Sequence, residues 1–361
     1  MFFKQIILWL TTNCNLQCKY CYAADIPDDN SIGSILEKKK IISKDVVRQA
    51  INLLRPEGRT VLQISGGEPT LYPELIEFTL NYARNRRPQA LVQLQTNATL
   101  VSDKIIRLIK ENKISVGVSI DGTADINERL RGKTGQAISG IKKLANNNIM
   151  VNITSVITSE NVGHMYKIIG LAALLGNVGS ISFDYLRKSG RAVKNFQSLQ
   201  VNIEDLKSGF SRAYKLLKTI NSKSSNKLKI KDLSVYYLRL NSNNKNPYYC
   251  YSAMGDSATI TPGGDMFLCP SLVGRKEFYW GNVKDFNNLN SLANRSVEDL
   301  KDCETCEIKY ICRGGCPARA YLENGDWKSI STLECSFRKW MYKNYIKVSK
   351  DSNELRRYKF G

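Results

Sequence analysis

Residues 14–22 read CNLQCKYCY, and they place Cys14, Cys18 and Cys21 in one short loop. The loop directly follows an apolar run, residues 6–10, that we interpret as the first strand. Iron–sulfur clusters are normally held by four thiolates, so three thiolates from one loop leave one iron open to another ligand. A zinc site would normally recruit a fourth protein ligand. The spacing predicts an iron–sulfur site with an open position, and a zinc knuckle is the alternative.

Around this loop, the first half of the chain alternates β-branched apolar runs with amphipathic segments. The predicted strands cover residues 6–10, 61–65, 91–95, 116–120, 151–156 and 180–184. Helical patterns lie between them, near residues 43–54, 72–86, 102–111, 136–146 and 161–175, with Ser43 predicted to cap the first and Pro73 lying early in the second. Six alternations predict a parallel sheet with outer helices, either open or closed into a partial barrel.

The alternation stops near residue 191. One more helical pattern covers residues 203–219, and polar stretches at residues 221–227 and 241–247 read as loops or linkers. From Cys250 onward, strand patterns are short and glycines are frequent. We therefore divide the chain into a core domain (1–192), a helical bridge (193–245) and a second domain (246–361).

Composition narrows the classes of function. Lysine and arginine number 53 against 33 acidic residues, which gives a net charge of +20. This charge fits either a solvated surface or a groove for an anionic partner. An acidic peptide leader fits, whereas no nucleic-acid-binding signature is present. No apolar run is long enough to span a membrane, and the apolar start lacks the features of a signal peptide, so we expect a cytoplasmic protein. Ten cysteines in such a chain favour metal ligation over disulfides.

The cysteine loop resembles the C-x3-C-x2-C signature of the radical S-adenosylmethionine (SAM) superfamily, in which an aromatic residue precedes the third cysteine. Gly66-Gly67-Glu68-Pro69 follows the second predicted strand, and in that family this turn receives the amino group of SAM. A serine and an arginine of the family contact the ribose and the carboxylate of SAM. The resemblance therefore implies SAM contacts at Tyr20, Tyr22, Gly66, Gly67, Glu68, Pro69, Asn97, Ser119 and Arg131.

The later cysteines resemble the SPASM extension of radical SAM enzymes. Cys250 is followed by Gly264-x4-Cys269, then by the block C-x2-C-x5-C-x3-C and a last cysteine. The resemblance implies a first auxiliary cluster on Cys250, Cys269 and Cys316. It also implies a second auxiliary cluster on Cys303, Cys306, Cys312 and Cys335. All ten cysteines are then used, so the first auxiliary cluster has either an open iron or a ligand other than cysteine.

The resemblance implies a partial (β/α)6 TIM-like barrel with a C-terminal SPASM domain, and three [4Fe-4S] clusters with SAM as cofactors. The expected chemistry is formation of a 5′-deoxyadenosyl radical, which removes a hydrogen atom from the substrate. Sulfatase-maturating members carry an aspartate directly after the cysteine of G-x4-C, where this chain has Pro270. That difference argues against formylglycine formation. No catalytic residue beyond the cofactor ligands is assigned.

Most SPASM proteins modify peptides, so we expect a ribosomally synthesised peptide as substrate and a thioether or other crosslink as product. The expected partners are this precursor peptide, an electron donor such as flavodoxin or ferredoxin, and a separate leader-binding protein, because the chain begins at its first barrel strand. A small-molecule substrate in cofactor or natural-product biosynthesis is the alternative. A non-catalytic metal-binding or electron-transfer protein is a third interpretation, and it would not cleave SAM.

Overall fold

The computed structural model describes residues 2–24, 39–242, 245–285 and 294–347. Within these ranges, ten strands form one sheet in the order β10-β9-β8-β1-β2-β3-β4-β5-β6-β7. The strands are β1 (Gln5–Trp9), β2 (Val61–Ser65), β3 (Leu91–Thr96), β4 (Ser115–Ser119), β5 (Val151–Ile157), β6 (Val178–Tyr185), β7 (Lys229–Ile230), β8 (Ser257–Ile260), β9 (Asp265–Phe267) and β10 (Tyr279–Asn282).

The α-helices lie mostly between the strands of the first half and around the C-terminal thiols. They are α1 (Lys44–Asn52), α2 (Pro73–Arg86), α3 (Asp103–Asn112), α4 (Ala124–Leu130), α5 (Thr134–Asn146), α6 (Met165–Leu175), α7 (Ala192–Leu199), α8 (Ile203–Lys223), α9 (Lys231–Leu240), α10 (Lys309–Cys312), α11 (Pro317–Asn324) and α12 (Thr332–Met341). None of the helices in the described ranges is both long and apolar enough to cross a membrane.

Strands β1 to β6 are parallel and adjacent in chain order, and helices connect them. This arrangement confirms the predicted α/β fold, with strand boundaries within two residues of the prediction. β1 pairs with β8 on its free side and β6 pairs with β7, so these strands form an open partial barrel. Parallel strands connected by helices place all their carboxyl ends at one edge, which is where α/β folds carry their sites.

Local signals explain the helix boundaries. Ser43 accepts a hydrogen bond from the Val46 N–H and caps α1, as the sequence predicted. Pro73 is the first residue of α2, where its missing N–H leaves no helical hydrogen bond unmade. Helix α8 continues to Lys223, so the first three residues of the predicted loop 221–227 are helical.

The C-terminal segment extends the sheet of the core. β8 pairs in parallel with β1, and β9 and β10 continue the sheet in antiparallel fashion. The division proposed near residue 246 falls between α9 and β8. Because β8 pairs with β1, the two halves share one sheet. This sheet carries both the loops after the core strands and the segments that contain the C-terminal cysteines.

Candidate functional site

The cysteine loop packs against the turn that follows β2. The Gly67 N–H donates to the Thr11 carbonyl at 2.7 Å, and the Glu68 N–H donates to the Asn13 carbonyl at 2.9 Å. Gly66 has a φ of +131°, in the region that favours glycine. A Cβ atom on either glycine would overlap the backbone of Thr11 or Asn13. Both glycines are therefore required for the backbone contact that positions the cysteine loop.

Glu68 is buried, and both of its carboxylate oxygens are hydrogen-bonded within the protein. Oε1 accepts from the Thr70 N–H at 3.1 Å, the Thr70 hydroxyl at 2.5 Å and the Thr96 hydroxyl at 2.6 Å. Oε2 accepts from the Asn97 N–H at 2.7 Å. Burial raises the pKa of Glu68, and these hydrogen bonds oppose the shift. Glu68 thus joins the ends of β2 and β3, while Pro69 begins the short 3-10 turn that follows it.

Asn97 connects the end of β3 to the cysteine loop. Its Nδ2 donates to the Asn15 Oδ1 at 2.9 Å, and its Oδ1 accepts from the Thr99 N–H at 2.9 Å. Asn15 in turn donates to the Thr99 hydroxyl at 2.8 Å. Asn97 is one of the predicted cofactor contacts, and its side-chain amide makes hydrogen bonds that hold the loop.

A buried group of three polar residues lies beneath the cysteine loop. The Tyr20 hydroxyl donates to the Asp121 Oδ2, and the Arg131 Nη1 donates to the Tyr20 hydroxyl at 2.8 Å. Arg131 and Asp121 also form an ion pair at 3.7 Å, and the Val156 N–H donates to Asp121 at 2.8 Å. Burial raises the pKa of Asp121 to about 6, against the opposing charge of Arg131. Asp121 was not among the predicted site residues, although it lies two positions after Ser119.

The three thiols of the loop share the positive charge of Arg131. Burial raises the pKa of Cys18 to about 11, and Arg131 is the largest influence that lowers it. The thiolates of Cys18, Cys21 and Cys14 in turn raise the pKa of Arg131. Ser119, at the end of β4, accepts a hydrogen bond from the Gln95 Nε2 at 2.9 Å. The structure therefore brings the three cysteines together beside a buried guanidinium.

Cys250, Cys269 and Cys316 lie together, although they are far apart in the sequence. The pKa of Cys269 is raised to about 12, mainly by burial and in smaller part by the thiolates of Cys316 and Cys250. Arg187 lowers the pKa of Cys269 and is held by Asp184 through hydrogen bonds of 2.5 and 3.0 Å. These three thiols match the group that the sequence assigned to a first auxiliary cluster.

Four further thiols line a single cavity, together with Lys339: Cys303, Cys306, Cys312 and Cys335. Burial raises the pKa of Cys303 to about 11, and the other three thiolates add to the shift. All ten cysteines are free. Within the described ranges, no three Cys, His, Asp or Glu side chains are placed as the ligands of a metal ion. Each of the three groups consists of thiols, and cysteine thiolates are the ligands that hold iron–sulfur clusters.

Comparison with known proteins agrees with this geometry. The family model described as the radical SAM superfamily matches residues 10–172, which span the cysteine loop and the strands β2 to β5. An uncharacterized protein of Methanocaldococcus jannaschii is 33% identical over 296 residues, covering 79% of this chain and 91% of that protein. The chain belongs to the radical SAM superfamily.

Further relatives place it among members of the SPASM type. A cysteine-type anaerobic sulfatase-maturating enzyme of Clostridium novyi is 31% identical over 169 residues, covering 44% of either chain. The AdoMet-dependent heme synthase of Methanosarcina barkeri is 28% identical over 353 residues, covering 90% of this chain and 94% of that one. The solved structure of native anSMEcpe with bound AdoMet and Cp18Cys peptide is 18% identical, with a TM-score of 0.73, and it covers 96% of this chain and 99% of that one.

In this radical SAM protein, Tyr22 directly follows Cys21 and packs against a cluster that contains Trp9 and Phe267, and Phe267 lies two residues before Cys269. Burial raises the pKa of Tyr22 to about 12, and the thiolates of Cys21 and Cys269 both contribute to the shift. The Ser189 hydroxyl donates to the Ser271 carbonyl at 3.2 Å and ties the loop after β6 to the segment after Cys269. The cofactors that the family implies are SAM and a [4Fe-4S] cluster, and the thiol-only donor set of the loop suits such a cluster.

Proposed function

We propose that this radical SAM protein modifies a ribosomally synthesised peptide. The proposal depends mainly on the position of Tyr22, which follows Cys21 in the chain and packs against the cluster that contains Phe267, two residues before Cys269. A substrate held beside Tyr22 would meet the SAM-binding loop on one side and the first auxiliary group on the other. The similar fold of anSMEcpe, which was solved with a bound peptide, supports the same substrate class.

The residues of the chain would hold and orient the cofactors. A bound SAM molecule and its cluster would supply a 5′-deoxyadenosyl radical, which removes a hydrogen atom from the substrate. Cys14, Cys18 and Cys21 would hold that cluster. Tyr20 and Asp121 would keep the Arg131 guanidinium fixed, as their hydrogen bonds indicate. The proposed SAM contacts are Tyr20, Tyr22, Gly66, Gly67, Glu68, Pro69, Asn97, Ser119 and Arg131.

The first auxiliary group would bind the substrate. Cys250, Cys269 and Cys316 provide three thiolates, and the other seven cysteines belong to the two remaining groups. A soft thiolate from the peptide would suit the fourth position, because coordination deprotonates a thiol and fixes its sulfur. The Arg187 guanidinium interacts electrostatically with Cys269 and Cys316, and its positive charge would favour an anion there. The product would be a thioether or another crosslink.

The proposed partners follow from the charge and from the chemistry. The net charge of +20 suits an acidic leader peptide. Reduction of the clusters requires an electron donor, for which flavodoxin or ferredoxin is proposed. A separate leader-binding protein is the third proposed partner.

A small-molecule substrate is the second candidate. It is favoured by the similarity to the heme synthase of Methanosarcina barkeri, which covers nearly the whole length of both chains. The two candidates share the SAM-binding loop and differ in the molecule that occupies the space beside Tyr22. A tetrapyrrole is therefore the appropriate competing substrate in the experiment below.

The experiment uses the anaerobically reconstituted chain with SAM, a reductant and a short cysteine-containing peptide as the candidate substrate. We expect 5′-deoxyadenosine together with a peptide that has lost a pair of hydrogen atoms, both detected by mass spectrometry. A parallel reaction contains an iron porphyrin in place of the peptide. A modified porphyrin with an unmodified peptide would favour the second candidate.

A peptide in which every cysteine is replaced by serine tests the thioether. If a thiolate occupies the fourth position, this peptide remains unmodified, although SAM cleavage continues. Normal modification of the serine peptide would exclude a thioether and leave crosslinking through carbon. Absence of SAM cleavage under all conditions would favour a non-catalytic metal-binding or electron-transfer protein.

A further inference from the structure

Arg295 is a buried cation that lies near both C-terminal groups of thiols. Only 1% of the residue is exposed. Its guanidinium donates to backbone carbonyls: Nε to Trp327 at 2.6 Å, and Nη2 to Ser329 at 2.5 Å and to Gly314 at 3.3 Å. A longer contact from Nη1 reaches the Gly315 carbonyl at 3.5 Å. Within the described part of the chain, no carboxylate forms an ion pair with it.

The charges that act most strongly on Arg295 belong to thiols. Burial lowers the pKa of Arg295, and the thiolates of Cys316 and Cys303 oppose that shift more strongly than Glu334 does. Cys316 belongs to the first auxiliary group, whereas Cys303 belongs to the second. The geometry agrees, because Gly314 and Gly315, whose carbonyls accept from the guanidinium, line the cavity of the second group and directly precede Cys316.

Glu334 is already neutralised by two other arginines. Its Oε2 pairs with the Arg319 Nη1 at 2.5 Å, and its Oε1 pairs with the Arg338 Nη2 at 2.6 Å. Burial alone would raise the pKa of Glu334, but Arg319 and Arg338 overcome this effect and lower it to about 2. The carboxylate thus has two cations of its own, and it leaves Arg295 without a compensating anion.

The backbone holds Arg295 between the segments that carry the thiols. The Arg295 N–H donates to the Ala253 carbonyl at 2.9 Å, in the turn that follows Cys250. Arg313, Gly314 and Gly315 have φ values of 61°, 74° and 71°, a left-handed run in which two carbonyls face the guanidinium. This run directly precedes Cys316. Arg295 therefore connects the Cys250 turn with the Cys316 loop.

A buried cation without an anion is costly, and it persists where its surroundings supply negative charge. Thiolates outweigh the positive charge of an iron–sulfur core, so a thiolate-bound cluster is an anion. We propose that Arg295 is a positioning residue whose charge is shared by the two auxiliary clusters, stabilising both and raising the reduction potentials of both. Net charge and hydrogen bonding near a cluster are known to set its potential. The inference rests on the auxiliary clusters of the proposed function and is independent of the peptide substrate.

The test compares Arg295→Met, which removes the charge at similar size, with Arg295→Lys, which retains it. Each full-length variant is reconstituted anaerobically and titrated by electron paramagnetic resonance with the wild type. We expect Arg295→Met to shift both auxiliary midpoint potentials to more negative values and to leave the SAM-cluster potential unchanged. Arg295→Lys should keep both auxiliary potentials near those of the wild type.

Arg87→Met is the matched control. Arg87 also donates to backbone carbonyls, those of Leu54 at 2.9 Å and Asn52 at 3.1 Å, but it lies in the core domain away from the C-terminal thiols. Its replacement should leave all three potentials unchanged. A comparable shift in this variant would overturn the proposal, because the effect would then not depend on position.

Unchanged auxiliary potentials in a fully loaded Arg295→Met protein would also overturn the proposal. If this variant fails to retain iron, the lysine variant decides. Wild-type iron content and potentials in Arg295→Lys would support a role for the charge, whereas equal loss of iron would show that only the guanidinium geometry matters. A wild type that binds only the SAM cluster would remove the premise, whatever the result with the peptide.

Discussion

The two halves of the molecule gather their thiols in different ways. In the first half, three cysteines lie within eight residues, and backbone hydrogen bonds from the Gly67 turn hold their loop. In the second half, seven cysteines spread from Cys250 to Cys335 fall into two groups whose members come from segments far apart in the chain. A short motif needs close backbone packing, whereas dispersed ligands need interactions between segments that are far apart in the chain.

The two halves also differ in buried charge. Beneath the first loop, Arg131 is paired with one carboxylate, that of Asp121. Around the C-terminal thiols, Arg319 and Arg338 share Glu334, Arg319 also pairs with Asp184, and the Arg295 guanidinium donates only to carbonyls. Among the described residues Arg295 thus has no carboxylate partner, and an anionic cluster nearby would supply the missing negative charge.

Replacing Cys14, Cys18 and Cys21 together by alanine should have the largest effect and would separate the two halves. We expect SAM cleavage to be abolished, because the loop can no longer hold its cluster. Iron should fall from about twelve to about eight per chain, since four-iron clusters remain on the other thiols. The measurements are 5′-deoxyadenosine by liquid chromatography and iron by colorimetric assay. Continued cleavage would contradict the assignment of the loop.

The variant Glu334→Gln tests the charge network of the second half. It leaves Arg338 buried without its anion and Arg319 with Asp184 alone, so we expect the free energy of unfolding to fall by about 3–5 kcal/mol. Urea unfolding of the reconstituted protein measures the change. Glu204→Gln is the control, because Glu204 is exposed and its pair with Lys207 should contribute at most about 0.5 kcal/mol. Equal losses of unfolding free energy in the two variants would show that burial of the network does not increase its contribution to stability.

The variant Gly67→Ala tests the packing of the first half. The added Cβ would overlap the Asn13 backbone and displace the cysteine loop. A displacement of this kind should lower the rate of SAM cleavage by about 100-fold. Gly135→Ala is the control, since that glycine is exposed in α5 and a Cβ there meets no atom within 4 Å. Normal cleavage by Gly67→Ala would show that the close contact is dispensable.

The variant Tyr20→Phe should have the smallest effect of the four. It removes the hydroxyl that joins Asp121 to Arg131, and we expect a loss of about 1–2 kcal/mol in unfolding free energy. Tyr82→Phe removes a half-buried hydroxyl that donates to Asn52 at 3.2 Å and should cost less. Thermal unfolding of both variants measures the difference. A larger loss in Tyr82→Phe would indicate that the group beneath the loop is not a stabilising unit.

Much of the fold could be predicted from the sequence because its signals are local. Apolar periodicity located β1 to β6 within two residues, and Ser43 and Pro73 marked the starts of α1 and α2. The spacing of Cys14, Cys18 and Cys21 predicted the first group of thiols, whereas the two C-terminal groups were implied by the resemblance to the SPASM extension. The extension of the sheet by β8 escaped prediction, because a strand of four residues carries no signal of its partner.

The sequence by itself indicated cysteine as the type of ligand, the family, and the order of strands β1 to β6. Only the tertiary structure decided what the polar side chains do. Glu68 is a predicted SAM contact, and its carboxylate also joins the ends of two strands. Asp121 accepts a hydrogen bond from Tyr20, which lies 101 residues away in the chain. Arg295 acquires its setting from carbonyls 19 to 34 residues away. Burial and pairing depend on neighbours that are distant in the chain, and for that reason the local pattern could not reveal them.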